Sequence, residues 1–261
     1  MSVDSTLCPY PALPSPARVK LTVLPSCPCP YLPDRTETIR ALYARDDMDP
    51  DMYHAFMDAG FRRSGRIVYQ PVCRGCRACV PLRVIVSDHR PSKTDRRVLR
   101  RNEDVQLFIS KPDATDEKYA LYQAYQSQWH GRDLAGDARD DFEQFLYDSP
   151  VQSIEFSYRD QAGRLLAVGI ADVSSRALSS VYFYFDPLAR QRSLGVMGAL
   201  REIDFCRQQG LPFYYLGYWV EGCRKMAYKA GYQPHELLLS TGEWMRRPAT
   251  GDATEAIAGH R

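Results

Sequence analysis

Hydrophobic positions follow two different periods along the chain. Residues 37–44 alternate loosely and predict a strand. Asp49 then supplies an N-cap and Pro50 a first helical residue; Tyr53, Phe56 and Met57 fall on one face, and Gly60 ends the helix. Two β-rich runs, 66–72 and 82–86, flank a cysteine cluster and predict a small hairpin carrying a knuckle. Ser92-Lys93-Thr94-Asp95 has the form of a capping box and opens a helix. Beyond Val105 the pattern predicts a strand at 105–110, then a helix with Leu121, Tyr122, Tyr125 and Trp129 on one face. An acidic stretch, 131–141, reads as an irregular lid-like loop. Three β-rich runs, 153–158, 165–173 and 179–185, form an antiparallel meander, with Asp160-Gln161-Ala162-Gly163 turning between the first two. A helix capped by Ser193 runs to Gly210 and buries Val196, Ala199, Leu200, Ile203 and Cys206. A strand at 213–219, a short helix turning Cys223, Met226, Ala227 and Ala230 inward, and a last strand to about Ser240 complete the order.

This order predicts an α+β chain with a basic, cysteine-bearing N-terminal domain over 1–104, a second domain over 105–245, and a disordered tail over 246–261. Eight of the 18 prolines precede Asp34, so that segment reads as extended coil. At 44% hydrophobic residues the 261-residue chain can fill a core, and no apolar run is long enough for a membrane span or an export signal. Eight cysteines without such a signal point to thiols or metal ligands in the cytoplasm rather than to disulfides.

A formal net charge of +2 conceals a segregation of charge. Residues 62–101 hold twelve Arg or Lys against two acids, Asp88 and Asp95, whereas residues 102–150 hold eleven acids against four bases. Within the basic segment, Lys93 opens the helix on which Arg96, Arg97, Arg100 and Arg101 form one stripe. A polyanionic partner and a merely solvated basic face both fit that stripe.

The succession of elements resembles the acyltransferase fold of the GCN5-related N-acetyltransferases, in which a glycine-bearing loop after the fourth strand enters a helix and binds donor phosphates. Here that point reads Arg192-Ser193-Leu194-Gly195-Val196-Met197-Gly198, a partial match that places Ser193 and Gly195 at a donor site. Longer strings are more specific: CPYLPDR at 29–35, GFRRSG at 60–65, SSVYFYFDP at 179–187, and YYLGYWVEGCRKMAYKAGYQP at 214–234. Together they resemble the arginyl-tRNA–protein transferase family. The spacing C-x-x-C-x-x-C-x-x-L-R over Cys73, Cys76, Cys79, Leu82 and Arg83 resembles its bacterial aspartate/glutamate leucyltransferase branch. The resemblance implies transfer of Leu from leucyl-tRNA to the α-amine of proteins with N-terminal Asp or Glu, a mark for degradation under the N-end rule. Its partners would be an aminoacyl-tRNA and proteins with acidic N-termini.

That reaction is aminolysis of an activated ester, so the enzyme must chiefly bring two ends together and move protons. Asp186, whose counterpart the family motif supports, is the candidate to bind or deprotonate the incoming amine; Tyr182 and Tyr184, on one face of the same strand, are candidates to orient the ester. An acidic acceptor side chain calls for a cation, from among Arg62, Arg63, Lys225 and Lys229. The chemistry requires no cofactor. Cys29, Cys73, Cys76 and Cys79 nevertheless suffice in number for zinc or an iron–sulfur cluster, the latter associated with cysteines of the eukaryotic relatives, whose adjacent Cys pair is missing here. Two other readings stay open: an acyl-CoA-dependent N-acyltransferase, which needs no basic segment, and a non-catalytic RNA-binding adaptor.

Overall fold

The computed structural model describes residues 19–132 and 138–247. In chain order the elements are β1 (Thr22–Val23), β2 (Cys27–Pro28), β3 (Thr36–Glu37), β4 (Ile39–Tyr43), α1 (Pro50–Asp58), β5 (Arg62–Ser64), β6 (Ile67–Pro71), β7 (Val80–Ile85), α2 (Lys93–Arg101) and β8 (Gln106–Ser110). They continue with α3 (Asp116–His130), α4 (Ala138–Leu146), β9 (Ser153–Arg159), β10 (Leu165–Val173), β11 (Ala177–Phe185) and a 3₁₀ turn, Pro187–Arg192. The last are α5 (Leu194–Gln208), β12 (Phe213–Trp219), α6 (Arg224–Ala227) with a 3₁₀ turn to Gly231, β13 (His235–Leu238) and β14 (Trp244–Arg247).

Local chemistry sets several boundaries as expected. Asp49 Oδ1 accepts hydrogen bonds from the N–H groups of Asp51 and Met52, satisfying two orphan donors of α1. At α2, Ser92 Oγ accepts from Asp95 N while Asp95 Oδ2 accepts from Ser92 N, the reciprocal capping box. Strand β10 is buried along eight of its nine residues because helices cover both of its faces, which is why its first seven residues read as an unbroken run without a polar side chain.

An eight-stranded sheet in the order β14-β13-β7-β12-β11-β10-β9-β8 forms the body of the protein. Its meander β9-β10-β11 is antiparallel, and β11 pairs in parallel with β12. Tyr182 and Tyr184 of β11 pack on Tyr122 of α3, whereas Phe183 lies against Gly198 of α5, so the two long helices cover opposite faces. This is the expected α+β architecture, a large mixed sheet with helices on both faces. A four-stranded sheet, β1-β4-β6-β5, and the β2-β3 pair form the smaller N-terminal part.

Several sequence expectations change. The runs at 66–72 and 82–86 do not pair: β6 lies between β4 and β5 in the small sheet, while β7 lies between β12 and β13 in the large one. Leu82 and Val84 are fully buried, and only the interior of the large sheet covers both faces of such a strand. Residues expected to close the N-terminal domain therefore complete the sheet of the other. Part of the acidic stretch is helical, since α4 begins at Ala138 and buries Ala138, Phe142 and Leu146; residues 133–137 lie outside the described residues. Ser193 does not cap α5 with its side chain; it enters the helix through a left-handed backbone, φ 55°. An unexpected hairpin returns β13 into β14, His235 opposite Arg247. Most of the expected disordered tail, from residue 248, and the first half of the proline-rich start, residues 1–18, lie outside the described residues.

A buried ion pair fastens the two sheets. Arg63 Nε and Nη2 donate to the two carboxylate oxygens of Asp172 at 2.6 and 2.8 Å, and both side chains are inaccessible to solvent. Tyr53 and Ser153 hydroxyls add donors to the same carboxylate, so the desolvated charge on β10 is fully satisfied.

Candidate active site

β11 and β12 pair over only three residues each, Ala177–Ser179 against Phe213–Tyr215, and then diverge. The wedge between them opens into a cavity of about 670 Å³. Ser180, Phe183 and Phe185 line it from β11, Tyr214 and Leu216 from β12, and Leu194, Val196, Ala199 and Glu202 from α5. Most of these walls are apolar. Trp129 and Tyr228, both about half exposed, stand among the lining residues with the exposed cations Arg190, Arg224 and Lys225.

Glu202 is the one buried carboxylate of this lining. Its Oε2 accepts from Tyr214 Oη at 2.6 Å, and Ser180 also donates to it. A Cβ at Gly169 would come within 2.6 Å of Oε1, so glycine there leaves room for the carboxyl. Burial pushes the acid up to about 7, against the hydroxyl hydrogen bonds that lower it.

On the other side of the splay, Arg62 Nη1 donates to Ser179 Oγ at 3.0 Å and Nη2 donates to Ser180 O at 2.5 Å. Its guanidinium lies within 3.4 Å of the space a Cβ would take at Gly217, whose φ of +83° also suits glycine. A cation thus reaches the point where β11 and β12 part. Its neighbour Arg63, on the opposite face of β5, is spent on Asp172.

The structure brings Ser193, Gly195 and Lys225 together on the cavity, with Arg62 at the head of the splay. It does not bring Asp186, Tyr182, Tyr184 or Lys229 onto the cavity lining. Asp186 Oδ1 accepts from Leu188 N, capping the 3₁₀ turn, and Oδ2 accepts from Arg164 at 3.1 Å. Tyr182 Oη accepts from Gln126 at 2.7 Å, and Tyr184 is fully buried with its hydroxyl 3.1 Å from that of Tyr147; burial pushes both phenols up. Lys229 is buried, donates to Tyr218 O, and is pulled down to about 7 by burial and then by Arg62.

Lys93, Arg96, Arg97, Arg100 and Arg101 all expose their side chains along α2. The C-terminal end of this helix is tied to the cavity rim: Asn102 Nδ2 donates to Arg192 O, and Arg192 binds both oxygens of Asp104 at 2.8 and 2.9 Å. The cationic stripe therefore runs up to the turn that carries Arg190 and Ser193.

Cys29, Cys73, Cys76 and Cys79 gather within electrostatic reach of one another. Burial raises Cys73 and pushes Cys79 up to about 12, and the neighbouring thiols add to both shifts. Backbone N–H groups of Leu32 and Thr38 donate to the sulfurs of Cys29 and Cys73, each at 3.4 Å. Among the described residues, however, no group of three or more His, Cys, Asp or Glu is arranged to hold a metal ion. Cys206 is buried on α5 as its apolar helix position predicts, and Cys223 is buried too, but as the extended residue that precedes α6 rather than on a helix face.

Family models for the N terminus and C terminus of arginine-tRNA-protein transferase match residues 27–97 and 117–239. The chain belongs to this family. It is 42% identical to an aspartate/glutamate leucyltransferase from Granulibacter bethesdensis over 85% of this chain and 83% of that protein. Proteins of the same description from Thiobacillus denitrificans and Pseudomonas aeruginosa are each 39% identical, over 90% and 86% of this chain and 98% and 95% of theirs. Among solved structures, L-PGS from Bacillus licheniformis is similar with a TM-score of 0.40 and 12% identity, over 69% of this chain and 52% of that one. As an arginine-tRNA-protein transferase family member the chain is an aminoacyltransferase. Among the described residues no helix is long and apolar enough to cross a membrane.

Sequence reasoning missed the mouth cations Arg190 and Arg224 and, inside the cavity, Glu202. On a helix with Ala199, Ile203 and Cys206 inward, position 202 falls beside the buried stripe, and a glutamate there reads as a solvated residue. The only available signal was its setting among buried positions.

Proposed function

We propose that this aminoacyltransferase takes Leu from leucyl-tRNA and joins it to the α-amine of proteins whose first residue is Asp or Glu. The observation that carries the reading is the cavity in the β11/β12 splay, with apolar walls, exposed cations at its mouth, and the α2 stripe tied to its rim. Apolar walls suit a leucyl side chain. The cations Lys93, Arg96, Arg97, Arg100 and Arg101 suit the phosphates of the tRNA that carries it. Ser193, Gly195 and Lys225 receive the terminal nucleotide, and Arg62 receives the carboxylate of the acceptor, since a guanidinium fork matches that group.

In the reaction the neutral α-amine attacks the ester carbonyl, a C–N bond forms, the C–O bond to the ribose breaks, and the ribose oxygen leaves with the proton given up by the amine. The ester is already activated, so alignment of the two ends supplies most of the acceleration. In this reading Asp186 sets the turn before α5, and Tyr182 and Tyr184 stiffen the strand that forms the cavity wall. Cys29, Cys73, Cys76 and Cys79 are proposed as a zinc or iron–sulfur site, supported by their proximity and by the two N–H···S hydrogen bonds; elemental analysis of anaerobically purified protein returning neither metal removes it.

The test is a transfer assay with leucyl-, phenylalanyl- and arginyl-tRNA, offered to peptides beginning with Asp, Glu or Lys and read by mass spectrometry. One leucyl residue added to the Asp and Glu peptides is the expected result. Arginyl transfer in its place, or acetylation from acetyl-CoA with no leucyl transfer, would overturn the reading.

A further inference from the structure

The cavity has an internal gradient of charge. Arg190, Arg224 and Lys225 are exposed at its mouth, whereas Glu202 lies 1% exposed among Phe183, Leu194, Ala199 and Leu216. Among the described residues no lysine, arginine or histidine pairs with Glu202; its hydrogen bonds come from two neutral hydroxyls, those of Tyr214 and Ser180. The contrast with Asp172 is direct, since that buried carboxylate holds a bidentate arginine. An isolated buried carboxylate is expensive to ionise, and a cation delivered by a ligand relieves that cost. Glycine at 169 keeps the space beside Oε1 free of a side chain, so the carboxyl's seat is built into β10.

Resting on the function proposed above, we infer that Glu202 receives the α-ammonium group of the donor's aminoacyl moiety, so that the site accepts only aminoacyl esters with a free α-amine. An aminoacyl-tRNA is recognised in this way at three points: phosphates by the outer cations, the apolar side chain by the walls, and the ammonium by Glu202. N-acylated aminoacyl-tRNA and acyl-CoA lack the third. The same group also explains why a cavity whose walls are mostly apolar buries an acid.

The experiment uses the full chain and two non-hydrolysable donor mimics, 3′-leucylamido-3′-deoxyadenosine and its N-acetyl derivative, with binding measured by calorimetry. Transfer from leucyl-tRNA and N-acetyl-leucyl-tRNA is measured in parallel. The parent protein is expected to favour the free amine by about 100-fold in affinity, the scale of a buried charge-assisted contact. Glu202→Gln, which keeps the shape and the contacts to Tyr214 and Ser180, is expected to remove that preference while leaving deacylated tRNA binding unchanged. Gly169→Ala, which crowds the carboxyl instead of replacing it, is expected to reduce the preference as well. Equal binding of the two mimics by the parent protein, or an undiminished preference in Glu202→Gln, overturns the inference. So does an equal loss of transfer from both donors, since that marks a general base for the acceptor, and so does preferential loss of an arginylamido mimic, since that marks a receptor for a guanidinium side chain. Discrimination between the mimics without any leucyl transfer upholds amine recognition and overturns the proposed function instead.

Discussion

On β11, Tyr182 and Tyr184 point into an aromatic cluster with Tyr122, Phe142 and Phe145, while Ser180, Phe183 and Phe185 line the cavity on the other face. Both faces are rich in aromatic rings; residues 182–185 alternate between them, and the irregularity at Val181 brings Ser180 to the phenylalanine side. The difference comes from what covers them. α3 and α4 cover the tyrosine face, and Tyr184 ends with no accessible surface. On the opposite side α5 meets β11 and β12 where they have already parted, so the phenylalanine face borders empty space. A strand's composition therefore says little about which of its faces does chemistry; the place where its neighbour leaves it says more.

Substitutions on the two faces should separate stability from transfer. The largest expected effect is that of Tyr184→Ala, which empties a closed aromatic cluster and should lower unfolding stability by about 3–5 kcal/mol. Denaturant titration reads this, and transfer by the remaining folded protein should stay near normal. A stable Tyr184→Ala protein that cannot transfer Leu would reverse the assignment of the two faces. Next comes Val196→Trp on the cavity wall: transfer should fall by at least about 100-fold, or roughly 2.7 kcal/mol in the barrier. Its melting temperature should stay within a few degrees of the parent, because Val196 borders open volume. Normal transfer by this variant would mean that the donor binds elsewhere.

Smaller effects sharpen the picture. Replacing Arg96, Arg97, Arg100 and Arg101 by Gln should weaken tRNA binding by about 10-fold at physiological salt and shallow its salt dependence by about one unit of slope for each lost phosphate contact. Titration of binding against salt concentration tests this, and an unchanged slope would leave the stripe as a solvated face. Least of all, Tyr182→Phe removes one hydrogen bond with Gln126, which should cost about 1 kcal/mol of stability and alter transfer by less than about 3-fold. A much larger loss of transfer would return that hydroxyl to the mechanism.

Much of the fold is legible in local chemistry. The caps at Asp49 and Ser92, the meander, and the stripe of α5 all follow from side chains that satisfy their own neighbourhood. The candidate site is legible only in part. Ser193, Gly195 and Lys225 carry a motif and end on the cavity, but Arg62 and Arg63 are adjacent cations that no local pattern distinguishes. Their fates diverge because neighbouring residues on a strand face opposite ways: Arg63 meets Asp172 inside, and Arg62 meets Ser179 and Ser180 at the splay.

By itself the sequence determined the order of elements from β9 to β13, the cationic stripe on α2, and the family to which the chain belongs, because periodicity, capping and contiguous motifs are properties of neighbouring residues. The tertiary structure alone decided that β7 leaves the cysteine segment to complete the large sheet, that β11 and β12 part after three pairs, and that Glu202 is buried beside Gly169 without a cation. Each of these depends on residues far apart in the chain that meet only once the two sheets have assembled, and no local regularity encodes such meetings.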